Sequence, residues 1–207
     1  MGINDSLSII ENSQDEALWM QFKAGDETAF YEIYDKYIDL LYNYGVKFTP
    51  DYGLVEDCIH DLFINLWENR ANIGHVKQPK FYLYISLRRK IIRSEQRKNR
   101  YITEDHGETR FSLRITGSVE DTLILEQAAA DRANHLNKAI SGLSARQREI
   151  IFLKYYENFS SEEIASIMSI NIESVYKLST KALNAIRNLI KEGVIFISFS
   201  SALLLLA

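Results

Sequence analysis

The chain is poor in the residues that break or staple a fold. Of its 207 residues only Cys58 is a cysteine, so no disulfide can form within it. Two prolines, Pro50 and Pro79, and nine glycines leave few interruptions. No alternating run of β-branched residues bounded by turn signals is present, which argues against a sheet-rich fold and leaves an all-α expectation. His60, His75, His106 and His135 stand far apart, and with one cysteine they offer no metal-ligand spacing. A phosphate-cradling glycine loop, a nucleophile elbow and a carboxylate pair distinct from ordinary helix-face charge are missing too. No catalytic residue, metal or cofactor is therefore expected. The first six residues, MGINDS, lack the basic-then-apolar pattern of a signal peptide, so the cytoplasm is the expected compartment.

What is abundant is charge, and it is segregated. Net charge is −4, which taken alone disfavours a nucleic-acid binder. Residues 1–80 hold fourteen acids against six bases, whereas residues 81–100 carry Arg88, Arg89, Lys90, Arg93, Arg97, Lys98 and Arg100 opposed only by Glu95. Such separation suggests two partners, one met by an acidic face and one, a nucleic acid, by a basic face.

Helical periodicity runs through both. A short helix is expected from Asp15 to Ala24, closed by Gly25, with Asp26 able to cap the next. That next helix has an apolar stripe at Ala29, Phe30, Ile33, Tyr34, Tyr37, Leu40, Leu41 and Tyr44, which reads as core. A third runs from about Leu54 to Asn69, with Val55, Cys58, Ile59, Leu62, Phe63, Leu66 and Trp67 on one side and Asp57, Asp61 and Glu68 on the other. Ile64 falls among those acids, either as a lone exposed aliphatic or as the centre of a protein-binding face with an acidic rim. After a loop from Ala71 to Lys80, a fourth helix joins aromatic residues to the basic run, a pairing that fits either single-stranded DNA, where rings stack on bases and cations meet phosphate, or a core helix with a solvated basic end. Residues 101–117 lose the helical period and read as a flexible linker. Helix resumes at about Ser118 and continues to Ile140.

The last third has the clearest local signals. Ser144 with Gln147, and Ser160 with Glu163, both have capping-box spacing, and Asn171 can cap a further helix running to about Leu189. Two capped helices joined by a tight turn make a helix-turn-helix, a unit that binds a DNA major groove or serves only as packing. On its last helix Val175, Leu178, Ala182, Ile186 and Leu189 share the inward spacing, and Lys177, Thr180, Lys181, Asn184 and Asn188 the outward one. Residues 193–207 carry no charge. They fall short of the ~20 residues of a spanning helix and read as a helical or strand-like tail that packs on the last domain or a partner, with membrane contact as the alternative.

Two strings resemble one family. Residues 55–70, VEDCIHDLFINLWENR, look like region 2.2 of the extracytoplasmic function (ECF) sigma factors of the sigma-70 family; residues 142–150, GLSARQREI, with Glu163-Ile164-Ala165 and Ser174-Val175, resemble region 4.2. The order of segments is also the family's. The resemblance implies two small helical domains joined by the linker: an extension over 1–14, region 2 over 15–100, the linker over 101–117, region 4 over 118–192 and the apolar tail over 193–207. It implies an alternative sigma factor that binds core RNA polymerase, through the clamp helices of its largest subunit and its flap, recognises and helps melt promoters, and directs initiation. Glu56, Asp57, His60, Asp61, Ile64 and Glu68 would face the polymerase. Phe81, Tyr82, Arg88, Arg89, Arg93, Arg97, Lys98 and Arg100 would meet the minus-ten element, with an unstacked base of the non-template strand held by the loop from Ala71 to Lys80 and the helix after it. Ser174, Tyr176, Lys177, Thr180, Lys181 and Asn184 would read the minus-thirty-five element as duplex. A membrane-bound anti-sigma partner, common in the family, is a further expected class of partner. The chain departs from the family at His60, where glutamine is usual, and near Arg89 and Arg93, where asparagine and aspartate are.

Two other readings compete. A dimeric helix-turn-helix regulator with an acidic, partner-binding N-terminal domain would need a self-complementary dimer face and palindromic half-sites. An enzyme with a helical nucleic-acid-binding domain would need the catalytic constellation that the sequence lacks.

Overall fold

The computed structural model describes residues 3–100, 111–113, 137 and 140–204. Among them every regular element is an α-helix: α1 Ile3–Lys23, α2 Glu27–Gly45, α3 Tyr52–Glu68, α4 Pro79–Arg100, α5 Ala145–Tyr155, α6 Ser161–Met168 and α7 Ile172–Leu204. The chain divides into two compact units, Met1–Arg110 and Phe111–Ala207. This is the all-α, two-domain class expected.

The first unit is built on the α2 stripe. Ala29, Ile33, Tyr37, Leu41 and Tyr44 are buried there, and they meet Val55, Ile59 and Leu62 of α3 and Leu83, Tyr84, Leu87 and Ile91 of α4. Each such aliphatic or aromatic side chain contributes about 1.5–3 kcal/mol by leaving water. Tyr44 stacks on Tyr84 at 4.8 Å and meets Phe48 edge-on at 5.1 Å. α1 covers the bundle with Trp19 and Phe22, both without exposed surface. Buried Asp15 fastens α1 to α2 by accepting from the Tyr37 hydroxyl and the Lys36 ammonium, so its charge is paired rather than stranded.

The connections follow from local chemistry. Gly25 takes a left-handed φ of +97° after α1, where a side chain would be strained. Asp26 accepts from the N–H groups of Thr28 and Ala29, and Asp51 from that of Leu54, capping α2 and α3. Pro79 opens α4, a position where its missing N–H costs nothing.

In the second unit both capping boxes form: Ser144 with Gln147 at α5, Ser160 with Glu163 at α6. Ser169 ends α6 in the left-handed conformation at φ 54°, and the Ile170 N–H reaches back to the Ala165 carbonyl at 2.9 Å. Asn171 then accepts from Ser174 N–H at 2.8 Å and starts α7. Ile150, Leu153, Ile164, Ile167, Val175 and Ala182 bury the hairpin's interior, while Leu178 and Ile186 are half-buried.

Several boundaries differ from the sequence reading. α1 begins at Ile3, not Asp15, because no proline or glycine separates the extension from the helix. The loop before α4 spans residues 69–78 instead of reaching Lys80. Phe111 and Leu113, assigned to the linker, are buried in the second unit: the Phe111 ring lies 6.0 Å from that of Phe152, and its carbonyl accepts from Arg148 Nε at 2.7 Å. α7 does not stop near Leu189 but continues to Leu204, passing Gly193, whose cost of about 1 kcal/mol against alanine a long helix tolerates. Of the helix expected from Ser118 to Ile140 only Asn137 and Ile140 are among the described residues, and the remainder of the linker lies outside them.

α2 is approached closely at Gly45. A Cβ placed there would lie 2.5 Å from Val55 Cγ1, so that side chain would have to shift, and 3.2 Å from Ile91 Cδ1, which would have to give by a few tenths of an ångström. We expect Gly45→Ala to destabilise the first unit by about 1–3 kcal/mol despite alanine's better helix propensity. Chemical denaturation checks this, and an unchanged or raised midpoint would show that α3 and α4 can move apart at no cost.

Candidate nucleic-acid and partner interfaces

The inward stripe of α3 fixes what the helix shows outward. Glu56, Asp57, His60, Asp61 and Glu68 are all exposed, and Ile64 is 42% exposed among them. Asp57, Asp61, Ile64 and Glu68 follow one another at intervals of four, three and four, so they share a face. Beside it runs an open groove between α2 and α3, lined by Tyr34, Ile38, Tyr42 and Ile59, with Glu56 and His60 on its wall. Sequence reading missed this groove because its floor comes from two helices, neither of which is unusual alone. Cys58 sits on the opposite, buried side, 3.6 Å from the Ser94 hydroxyl, and burial pushes its thiol pKa up, which favours the protonated form.

On α4 the basic residues sort into three kinds. Arg89, Arg93 and Arg97 are exposed at intervals of four and form a cationic stripe. Lys90 and Lys98 are tied back to the acidic helix: Lys90 Nζ donates to Asp61 at 2.8 Å, and Lys98 to Asp51. Arg88 differs from the expectation of a DNA contact. It is only 8% exposed, with its guanidinium 6.0 Å from the centre of the Phe48 ring, because position 88 follows Leu87 onto the packed face. Phe81 and Tyr82 are half-buried, and Tyr82 rests edge-on against Trp19 at 5.5 Å. The side chain of Arg100 is outside the described set. The loop at 69–78 is anchored at its start by Arg70, which lies 4.1 Å over the Trp67 ring and donates to the Trp67 carbonyl at 2.7 Å.

On α7 the residues Tyr176, Lys177, Thr180, Lys181 and Asn184 are exposed, and Ser174 is half-buried in the first turn. Lys177 lies 3.7 Å from Glu173 one turn back, which tempers its charge. Ser179, unremarked in the sequence, is buried instead, its hydroxyl without a hydrogen-bond partner among the described residues. Among the described residues no group of three or more His, Cys, Asp or Glu could hold a metal, and no helix is long and apolar enough to cross a membrane.

Comparison with known proteins adds to this geometry. The family model for sigma-70 region 2 matches residues 33–101, and that for sigma-70 region 4 matches residues 134–186. Together they take in more than half of the chain. The chain is similar to the ECF RNA polymerase sigma factor SigW of Bacillus subtilis, at 25% identity over 180 residues, 83% of this chain and 94% of that one. It is also similar to the ECF RNA polymerase sigma factor SigL of Mycobacterium tuberculosis, at 24% identity over 166 residues, 77% of this chain and 88% of that one. Among solved structures it shares its fold with the sigma factor RpoE of Bartonella quintana, seen with the anti-sigma factor NepR (TM-score 0.56, 22% identity, 78% of this chain and 96% of that one). CnrH, seen with the cytosolic domain of CnrY, is a second such structure (TM-score 0.55, 16% identity, 86% and 97%).

The two bridges between α3 and α4 set a pH dependence. The hydrogen bond from Lys98, then the Leu54 N–H, hold the Asp51 carboxyl below the ordinary carboxylate range; the hydrogen bond and charge of Lys90 do the same for Asp61. A lowered folded pKa contributes stability that is present above the unfolded value, about 3.9, and is lost as pH falls through the folded one. Lys98 is raised by Asp51, so its share is present below the ordinary lysine value and is lost as pH climbs through the folded one. We expect backbone amides of residues 90–98 to exchange faster, relative to the rest of the first unit, once pH drops below about 4. An Asp51→Asn, Asp61→Asn double variant should show that faster relative exchange already at neutral pH; identical profiles for the two chains would mean the bridges do not hold α4.

Proposed function

The chain belongs to the sigma-70 family as an ECF-type sigma factor, and from that premise we propose how its surfaces divide the work. An alternative sigma factor binds core RNA polymerase, recognises and helps melt specific promoters, and directs transcription initiation. The observation that carries our assignment is the juxtaposition, on adjacent helices of one small bundle, of an acidic face centred on an exposed Ile64 and a stripe of Arg89, Arg93 and Arg97.

The α3 face docks on polymerase, at the clamp helices of its largest subunit. Ile64 supplies the apolar centre, and Glu56, Asp57, His60, Asp61 and Glu68 the polar rim that steers a basic partner. The α2–α3 groove extends that surface. The α4 stripe takes the non-template strand of the minus-ten element, its arginines on phosphates and Tyr82 and Phe81 beside the bases. Extruding a base costs a few kcal/mol, and stacking at about 1–3 kcal/mol per base together with phosphate contacts offsets it. The burial of Arg88 supports a packing role for it instead of a DNA contact. The exposed face of α7 reads the minus-thirty-five duplex, with Lys177 and Lys181 on phosphates and Thr180 and Asn184 able to bond base edges.

This work is done in the cytoplasm. An anti-sigma regulator, of the kind seen bound to RpoE, would silence the chain by covering the polymerase and DNA faces. The region of the flap is the further polymerase contact proposed for the second unit.

The deciding assay is RNA synthesis by sigma-free core polymerase, with and without the chain, over genomic promoter fragments. Start-site-specific transcripts are expected only when the chain is added. Ile64→Arg should remove them at unchanged thermal stability, because a charge is placed in the centre of the docking face. If the chain neither co-migrates with core nor starts a transcript yet protects a palindromic duplex, a dimeric regulator takes its place. In the same assay Lys177→Ala and Lys181→Ala should each lower the salt slope of promoter binding by roughly 0.9; an unchanged slope would remove those lysines from the phosphate contacts.

A further inference from the structure

α1 precedes the region 2 match, which begins at residue 33, yet one of its faces holds the loop at 69–78, to which the family resemblance gives the unstacked base and which we assign to the melted strand together with the start of α4. Glu16, Trp19 and Lys23 stand at i, i+3 and i+7, a single stripe. Glu16 Oε1 lies 2.9 Å from His75 Nε2. Lys23 Nζ donates to the Gly74 carbonyl at 3.3 Å. Between them Trp19, fully buried, packs against Tyr82 in the first turn of α4.

The loop they reach has little of its own to hold it. Its backbone turns back on itself early, where the N–H groups of Asn72 and Ile73 both donate to the Asn69 carbonyl. Gly74 has open space around it. The ties to Gly74 and His75 come from α1, and both are half-exposed contacts outside the core. Contacts so placed do little for the bundle's packing. What they do is fix a loop that would otherwise have to be ordered at the moment a base enters, with the entropy cost falling on DNA binding.

We propose that α1 is a positioning element for minus-ten recognition: Glu16 and Lys23 preset the loop at 69–78, and Trp19 presets Tyr82, so that the site for the unstacked base is formed before DNA arrives. The proposal rests on the assignment of that loop and α4 to the non-template strand. Glu16 and Lys23 act through the loop and touch neither DNA nor polymerase.

The test uses holoenzyme assembled from core polymerase and the full chain, on promoter fragments that the wild-type holoenzyme opens. Three quantities are read for a Glu16→Gln, Lys23→Met double variant: affinity for core, the fraction of promoter opened as reported by permanganate-reactive thymines, and discrimination between single-base changes in the minus-ten element. We expect core affinity within about twofold of wild type, since the α3 face is untouched, but an opened fraction down by about tenfold and a discrimination flattened to a similar degree, the scale set by having to order about one further loop residue on DNA binding. Exchanging the pair, Glu16→His with His75→Glu, should recover opening over His75→Glu alone. Equal opening and discrimination in the double variant would overturn the proposal, as would losses that merely parallel lowered thermal stability and core affinity, or an exchanged pair that recovers nothing. Wild-type holoenzyme is the control for the underlying assignment: if it opens no promoter, that assignment fails and the role of α1 with it, whereas equal behaviour of variant and wild type removes the role of α1 alone.

Discussion

The close approach at Gly45 is the constraint on which the first unit depends. With no side chain at that position, Val55 of α3 and Ile91 of α4 both sit against the α2 backbone, and three helices meet where two would normally be kept apart by a methyl group. That meeting fixes the rotation of α3 and α4 about their own axes. Once Val55, Ile59 and Leu62 point inward, a helix of 3.6 residues per turn must put Asp57, Asp61 and Ile64 outward; once Leu83, Leu87 and Ile91 do so, Arg89, Arg93 and Arg97 are exposed. The surfaces proposed to work are thus the complement of the core.

Neighbouring helices of opposite charge cannot keep their charges wholly apart. Lys90 with Asp61 and Lys98 with Asp51 stitch the seam between α3 and α4, so the residues nearest that seam spend part of their charge on each other. Exposed pairs of this kind add little stability. Their larger effect is to narrow each face: among the described side chains the acidic side of α3 is left chiefly to Glu56, Asp57 and Glu68, and the basic side of α4 to Arg89, Arg93 and Arg97. Charge counted along the sequence overstates both faces, since it cannot know which members are paired across the seam.

Most of what was legible in the sequence is local. The capping boxes at Ser144 and Ser160, the caps at Asp26 and Asn171, and the left-handed Gly25 each involve groups within a few residues, so their chemistry could be read from spacing alone. The outward placement of Lys177, Lys181 and Asn184 followed in the same way from the apolar period of α7. What was not legible depends on partners far away in the chain. Arg88 reads in sequence as one more member of a basic run, and its burial, with the Phe48 ring from forty residues earlier beside it, depends on tertiary packing that the run does not signal. Phe111 and Leu113 sit in a stretch without helical period, which says nothing about whether an extended segment packs on Phe152. The ties from α1 to Gly74 and His75 span more than fifty residues and use residue types that carry no signal by themselves. Where α1 starts and α7 ends was misjudged for another reason: helices stop at breakers, and neither junction contains a decisive one.

The distribution of cations also bears on when the chain engages DNA. Its net charge is −4, and among the described residues α4 and α7 expose Arg89, Arg93, Arg97, Lys98, Lys177, Lys181 and Arg187, with Lys177 close to Glu173. A chain of net negative charge gains no long-range attraction to duplex DNA from its total charge and has few cations to set on phosphates at either proposed interface, so neither module should hold promoter DNA firmly alone. Both modules lie on one chain, however, and engagement of either raises the effective concentration of the other. Polymerase bound at the acidic face, as proposed, would add a third attachment and mask part of the negative charge. On the proposed assignment, promoter recognition is a property of the assembled complex, and the acidic surface that disfavours DNA binding by the free chain is the one we assign to the partner able to overcome it.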